Sequence, residues 1–326
     1  MNIALIGPGQ ISIPAKGWGG TEALVWNHVL ELRRRGIVVD IFNTRDLESV
    51  AADINARDYG FIHLHYDAYC GFFNERLNKP FCCTSHWGEV KEMNWQPWWW
   101  NIFNSMKSCS GLICLSSEIE KIYKENGCTN FTKVLPVGTT VDNFKFKKTT
   151  NNKKAICVGK IESRKMQTEL AQIGSDKICI DFYGPLSDNR FASNTTCQHK
   201  GIADREWLYN NMTDHTTFVL LSKGEAAAQV IPEALAAGLS ICVTETSAAN
   251  LDKSLPFIKV VPNNWYEYDP NLIVNVINEL NETNSKYRND IREYAKENFD
   301  TKVIINKYID IMKDFNNENS VSNNSN

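Results

Sequence analysis

The chain has 326 residues, a formal net charge of −3, and 43% apolar and 11% aromatic residues. That length suits roughly two domains of ordinary size, and the composition excludes a disordered or fibrous protein. A charge so near neutral gives no reason to expect a nucleic-acid partner, and no apolar run approaches the ~20 residues that a helix needs to span a bilayer.

The start, M-N-I-A-L-I-G, has no basic n-region and reads as a strand over residues 2–7 rather than as a signal peptide. A long glycine- and proline-punctuated loop follows, G-P-G-Q-I-S-I-P-A-K-G-W-G-G-T-E. A helix is predicted from about Thr21, with Val25, Val29 and Leu32 at core spacing and Arg33, Arg34 and Arg35 at its dipole-negative end. Val38 to Phe42 is the next strand, which completes a βαβ unit whose alternation the later chain repeats. Gly7 and Gly9 alone do not make a dinucleotide fingerprint: Ser12 stands where a third glycine belongs, Pro8 and Pro14 resist an immediate helix, and Asp40 lies beyond the ~20-residue spacing expected.

Further strands are predicted at Phe61–His65, Phe81–Thr84 and Gly111–Leu115. His63 and His65 alternate onto one strand face, but with no third ligand nearby in sequence they read as ordinary strand histidines rather than a metal pair. His86 is different, because it falls just past a strand end, where ligands bind in open α/β sheets. The run N-W-Q-P-W-W-W-N holds four of the nine tryptophans, and Trp98, Trp99 and Trp100 cannot all face one core. A sugar-stacking acceptor groove, a peripheral membrane contact and plain packing of an insertion all remain open uses for them. The polar stretch Lys147 to Lys154 reads as an interdomain linker.

The second half opens on A-I-C-V-G-K-I-E-S-R-K-M, an apolar strand followed by a cationic turn. An apolar run, Phe218 to Leu221, then ends at Ser222, and Glu225 and Glu233 bracket a turn from strand to helix. The expected helix starts within Ala226, Ala227 and Ala228, which are too small to cap it, so its first amides and dipole would suit an anion. Pro232 fits the first turn and Gly238 the end. From this turn alone, a surface strand–turn–helix with two solvated glutamates explains the residues equally well. Three helical segments are expected to finish the fold near Phe315, leaving residues 316–326 as a disordered tail. The ten cysteines, among them Cys114, Cys157, Cys179 and Cys242 in apolar strand-like runs, form no Cys-x-x-Cys pair and read as reduced core thiols in a cytoplasmic protein.

The spacing from Glu225 to Glu233, followed by Ala234 and Ala237–Gly238, resembles the donor-sugar motif of the retaining family 4 glycosyltransferases with the GT-B fold. P-A-K-G-W-G-G-T-E resembles the family's first loop. The strand before Lys160 resembles one followed by Gly-Arg-x-x-x-x-Lys-Gly, with Lys160 in place of arginine, Lys165 in the lysine position and Met166 in place of glycine. V-L-P-V-G-T-T-V-D-N-F-K-F resembles the segment that closes the first domain, with Val137 where many members have asparagine.

The resemblance implies an α/β protein of two Rossmann-like domains facing a cleft. Residues 1–147 would form the acceptor side, with the last helix, 301–315, packing back on it, and residues 148–300 would bind the donor. It implies a sugar moved with retention from a nucleotide-diphosphate sugar to a saccharide or other hydroxyl acceptor. His86 would lie near the reacting carbon, and Lys165, with Lys160 and Arg164, would stabilise the departing phosphate. Glu225 would hold sugar hydroxyls near C3, Glu233 the ribose, and the amides of Ala226, Ala227 and Ala228 the donor. Gly19 and Gly20 would admit the donor phosphates and the acceptor, with Trp18, Thr21 and Glu22 on the acceptor side. No Asp-x-Asp occurs, so neither a metal nor a further cofactor is expected. A non-catalytic carbohydrate- or nucleotide-sugar-binding relative and a nucleotide-sugar epimerase of the same fold stay open. The sequence leaves the donor base, sugar, acceptor and oligomeric state unassigned.

Overall fold

The structure, a computed structural model, describes residues 1–15, 19–92 and 97–323. It divides into two compact units, Met1–Gly138 with the C-terminal helix from Thr301, and Thr139–Asp300.

In unit 1, strands and helices alternate: β1 (Asn2–Ile6), α1 (Gly20–Arg34), β2 (Val38–Phe42), α2 (Leu47–Ala56), β3 (Phe61–Leu64), α3 (Cys70–Arg76), β4 (Cys82–Cys83), α4 (Pro97–Lys107), β5 (Gly111–Cys114), α5 (Ser117–Glu125) and β6 (Phe131–Val134). The strands pair in parallel in the order β2-β1-β3-β4-β5-β6. Strands covered on both faces read as near-continuous apolar runs, as Ile3, Ala4, Leu5 and Ile6 do in β1. Side-chain caps set two of the helix starts, where Asp46 accepts from the Ser49 amide at 3.2 Å and Ser116 from the Ile119 amide at 3.3 Å.

Unit 2 repeats the scheme with β7 (Ala155–Val158), α6 (Gln167–Ile173), β8 (Ile180–Tyr183), β9 (Cys197–His199), α7 (Arg205–Asn211), β10 (Thr217–Leu220), α8 (Val230–Ala236), β11 (Ser240–Thr244), β12 (Ile258–Val261) and α9 (Pro270–Phe299). Its parallel order is β12-β11-β10-β7-β8-β9. Counted from β7, this is the 3-2-1-4-5-6 arrangement of a Rossmann sheet, with its topological switch between β7 and β10.

The last helix, α10 (Thr301–Asn323), belongs to unit 1. Its Ile304, Ile305, Tyr308, Ile311, Met312 and Phe315 share a core with Ile3, Phe61 and Ile113. The Tyr308 hydroxyl meets His63 Nδ1 at 2.6 Å, and His63 Nε2 meets Thr84 Oγ1 at 2.8 Å.

Several boundaries differ from those read in the sequence. Residues 139–147 join unit 2 rather than unit 1, because their backbone is tied there: the Thr139 amide donates to Phe299 O at 2.9 Å and the Lys145 amide to Tyr209 O at 2.8 Å. The end of the fold is two long helices, not three segments, and α10 runs past Phe315 to Asn323. Once a helix is nucleated, each added residue costs little, so the asparagine-rich sequence does not stop it. All ten cysteines are free thiols, but Cys179 is exposed rather than in the core.

One residue anchors the centre of unit 2. Arg288 on α9 is fully buried, and its guanidinium donates to the carbonyls of Lys147, His215, Thr213 and Ala237 and to the side-chain oxygens of Asn284 and Thr213. Burial pushes it down to about 10, against the pull of Asp214, so it stays charged at neutral pH. Arg292 adds a bond to Ala236 O. Two cations thus sit at the carbonyl end of α8, where the dipole favours them. Arg288→Met would strand those carbonyls, at about 1–3 kcal/mol for each one left unsatisfied. Hydrogen exchange should then show β10 and β11 losing about 3 kcal/mol or more of protection while β1 and β3 keep theirs.

Candidate active site

The Rossmann order of unit 2 puts its ligand crevice at the carboxyl ends of β7 and β10. The turn after β7 carries Lys160, Glu162, Arg164 and Lys165, and the turn after β10 carries Ser222 and Glu225. These two turns meet side to side. Lys165 Nζ lies 3.2 Å and Arg164 Nη1 3.3 Å from Glu225 Oε1, which also accepts from Ser222 Oγ at 3.0 Å. Arg164 also donates to Gly224 O, and its own carbonyl accepts from the Lys223 amide at 2.9 Å. The arginine therefore fixes the path of the chain into Glu225. Glu162 links Arg164, at 2.9 Å, to the exposed Lys160, at 3.5 Å.

Burial of Glu225 raises its carboxyl, yet Lys165, Arg164 and Ser222 together outweigh that and hold it below the usual carboxylate range. Among the described residues of the linked group, Lys160, Arg164 and Lys165 face Glu162 and Glu225, three positive charges against two negative ones. Gly159 makes room for Lys165: a Cβ there would sit 3.2 Å from its Nζ.

Met166 follows with φ 56, a left-handed conformation that favours glycine. The strain is about 1–2 kcal/mol, and burying the side chain, 4% exposed beside Leu170 and Phe191, contributes about 1.5–3 kcal/mol. Packing therefore retains a methionine where the resembling motif has glycine.

The helix after Glu225 starts later than the sequence suggests. α8 begins at Val230, is seven residues long, and leaves Ala226, Ala227 and Ala228 in the loop before it. Arg164, bonded to Gly224 O and to the Lys223 amide, holds the chain before α8 in a loop, and Pro232 sits at the third residue of the helix. Among the described residues, the amides of Ala226, Ala227 and Ala228 have no hydrogen-bond partner. An anion site here rests on loop amides and cations rather than on a helix end. Glu233, 3% exposed on α8, does not join the Lys165 cluster but pairs with Arg205 on α7. Arg205 carries no motif in the sequence, and only the fold brings it to Glu233.

Unit 1 holds a cavity of about 360 Å³ at its own switch point, between β1 and β3. Its lining combines residues read in the sequence, Thr21, Glu22 and His86, with Gln10, His65 and Asp67, which were not. Position past a strand end, the signal that marks His86, also applies to His65 and Asp67. Glu22 and Asp67 are 5% and 8% exposed; burial raises both carboxyls, and for Asp67 the Ser85 hydroxyl opposes the rise. Gly19, at φ 153, caps α1, and a Cβ would strike Glu22 Oε2 at 2.8 Å. At Gly20 a Cβ would meet nothing within 4 Å, so the protein itself does not require glycine there. Trp18 and Trp95 lie outside the described residues. Trp99 is buried, while Trp98 and Trp100 are exposed.

The rings of His63 and His65 lie tilted at 3.9 Å, and His65 stacks on His86 at 5.8 Å. Among the described residues no three metal-ligating side chains are grouped to hold an ion. No helix is long and apolar enough to cross a membrane.

Two Rossmann-like units, each an all-parallel six-stranded sheet with helices, make this a GT-B fold. No protein-family model and no curated protein sequence matches the chain. Among solved structures it is similar to HepE from Anabaena in complex with UDP-glucose (TM-score 0.73, 15% identity, 96% of this chain and 100% of that one). It is also similar to sucrose-phosphate synthase from Thermosynechococcus elongatus (TM-score 0.70, 16% identity, 96% and 98%). A third is the lipopolysaccharide outer core galactosyltransferase WaaB (TM-score 0.67, 12% identity, 96% and 99%). These structural neighbours are GT-B glycosyltransferases.

The histidines of unit 1 give a pH signature. Burial pushes His28 down to about 4, with His86 adding to the effect, and burial alone pushes His86 to about 4. An unfolded chain protonates both near 6.5 while the folded one refuses, so their contribution is intact above about 6.5 and drains away as pH falls towards 4. In thermal melts, wild type should lose stability across that window more steeply than His28→Phe; equal slopes would count against a buried neutral His28.

Proposed function

We propose that the protein is a retaining glycosyltransferase that moves a sugar from a nucleotide-diphosphate sugar to a saccharide or other hydroxyl acceptor without a metal ion. The observation that carries this reading is the cationic turn of Lys160, Arg164 and Lys165 against Glu225, beside amides of Ala226 to Ala228 that bond to none of the described residues, at the switch point of unit 2. A departing nucleoside diphosphate gains negative charge on the oxygen it takes from the sugar. Fixed cations and amides are the groups that stabilise it, each worth about 3 kcal/mol of barrier.

In the proposed reaction the acceptor oxygen bonds to the anomeric carbon on the face from which the diphosphate oxygen leaves. The acceptor proton passes to that leaving phosphate oxygen. No paired carboxylates of the glycosidase kind are needed. Lys165 neutralises the leaving group, Arg164 holds the loop that presents Glu225, and Glu225 binds sugar hydroxyls. Lys160 is exposed and paired with Glu162, so its part is to supply charge at the rim. Glu233 binds the ribose hydroxyls, and its ion pair with Arg205 keeps the carboxylate aimed. For His86 the resemblance implies a place near the reacting carbon.

UDP-glucose is the first donor to try, given the HepE complex. Thermal shift against UDP, GDP and their sugars should show stabilisation by one family of nucleotides. Glu233→Ala should weaken that binding by about tenfold. Lys165→Ala should lower kcat by about 10²-fold, and near-normal turnover would remove Lys165 from the role. A product of inverted anomeric configuration by NMR, or activity abolished by a chelator, would contradict the mechanism. Nucleotide-sugar binding with neither transfer nor slow donor hydrolysis would make the protein a binding module instead.

A further inference from the structure

We infer that the unit 1 cavity is an acceptor subsite for an uncharged sugar ring, and that it discriminates against uronic acids and sugar phosphates. The inference rests on the glycosyltransferase reading and adds the chemical class of the acceptor.

The cavity's 360 Å³ falls within the roughly 300–1,000 Å³ of small-molecule sites. Its lining has two contrasting parts. One is aromatic: Trp87 and Trp99 pack at 3.9 Å, and Trp98, 52% exposed, stands edge-on to Trp87 at 5.6 Å. The apolar C–H face of a pyranose suits such a surface, as an aromatic ring offers large area with little entropy to lose.

The other part is polar and acidic. Among the described residues, the lining contains no lysine or arginine, and neither Glu22 nor Asp67 makes an ion pair. His65 is 2% exposed, and both of its ring nitrogens lack a hydrogen-bond partner, as does the buried Nε2 of His86. Buried polar atoms are ordinarily satisfied, so these point to a missing partner. Sugar hydroxyls are suitable ones. Each donates to a carboxylate and accepts from the N–H of a neutral imidazole, and burial keeps these imidazoles neutral. An added carboxylate or phosphate would instead meet two nearly buried carboxylates, Glu22 and Asp67, an arrangement that rejects the wrong ligand.

The test is titration of the intact protein, by tryptophan fluorescence and calorimetry, with lactose, maltotriose and chitotriose against glucuronic acid, galacturonate trimers and glucose 6-phosphate. UDP and UDP-glucose are titrated in parallel. At least one neutral sugar should bind about tenfold or more tightly than every acidic one. Trp98→Ala should weaken that binding at least tenfold, Trp98→Phe should recover most of it, and Trp100→Ala, on an exposed ring outside the lining, should leave it unchanged. Asp67→Asn should narrow the gap between neutral and acidic sugars. Acidic sugars binding as well as neutral ones, no neutral sugar binding to a protein that binds UDP, or indifference to Trp98→Ala would each overturn the inference. Selective neutral-sugar binding without any nucleotide binding would uphold the subsite and sink the glycosyltransferase reading, so the two fail separately.

Discussion

Unit 2 is organised around a guanidinium buried without a hydrogen-bonded carboxylate. Arg288 collects carbonyls from the chain entering the unit, from the lead-in to β10 and from the end of α8. Such a charge is tolerated only if its donors find acceptors in a fixed fork, which lysine cannot supply. The consequence reaches the candidate site. With Arg288 and Arg292 holding its last carbonyls, seven-residue α8 keeps its place despite its shortness, and Glu233 is presented to Arg205 from a helix that would be marginal alone.

Topology then decides where chemistry can occur. In both units the order of parallel strands reverses at one point, and the loops leaving the strands on either side open a crevice there. In unit 2 the crevice brings a cationic turn against a glutamate; in unit 1 it brings two carboxylates and a pair of neutral histidines against tryptophan. The strand order of unit 2 is shared with dinucleotide-binding dehydrogenases, so order alone does not identify a ligand. The first turn makes the difference. Gly159-Lys160-Ile161-Glu162-Ser163 lacks the three glycines that bring a backbone onto a pyrophosphate, and side-chain cations stand there instead.

Much of this was legible in the sequence because it is local. Apolar runs of four or five residues separated by helical periodicity gave β1, β2, β3 and β5 nearly to the residue. Two motifs at strand ends marked Lys165 and Glu225, but not their contact with each other. What escaped depends on contacts distant in sequence. Nothing around Arg205 marks it as a partner of Glu233, and the polar run 147–154 looks like a linker although its backbone bonds to Thr213 and Thr216 and its Thr150 and Asn152 side chains donate to Asp214 O. The helix start was misplaced because Ala226 to Ala228 have high intrinsic propensity, whereas the loop path is set by Arg164 gripping Gly224. Met166 shows the reverse case, where a residue other than glycine holds a left-handed backbone because core packing outweighs the strain.

The position of α10 carries a consequence for biosynthesis. Ile304, Ile305, Tyr308 and Met312 complete the core begun by β1 and β3, yet they leave the ribosome only after all of unit 2 has been made. Unit 2 is continuous in the chain and can close as soon as it emerges, whereas the earlier-synthesised unit must wait with an apolar face uncovered. Contacts so far apart in sequence form slowly, and an exposed apolar face in that interval invites aggregation. The order of maturation is therefore the reverse of the order of translation, and the first half of the chain is the half with most to gain from a chaperone.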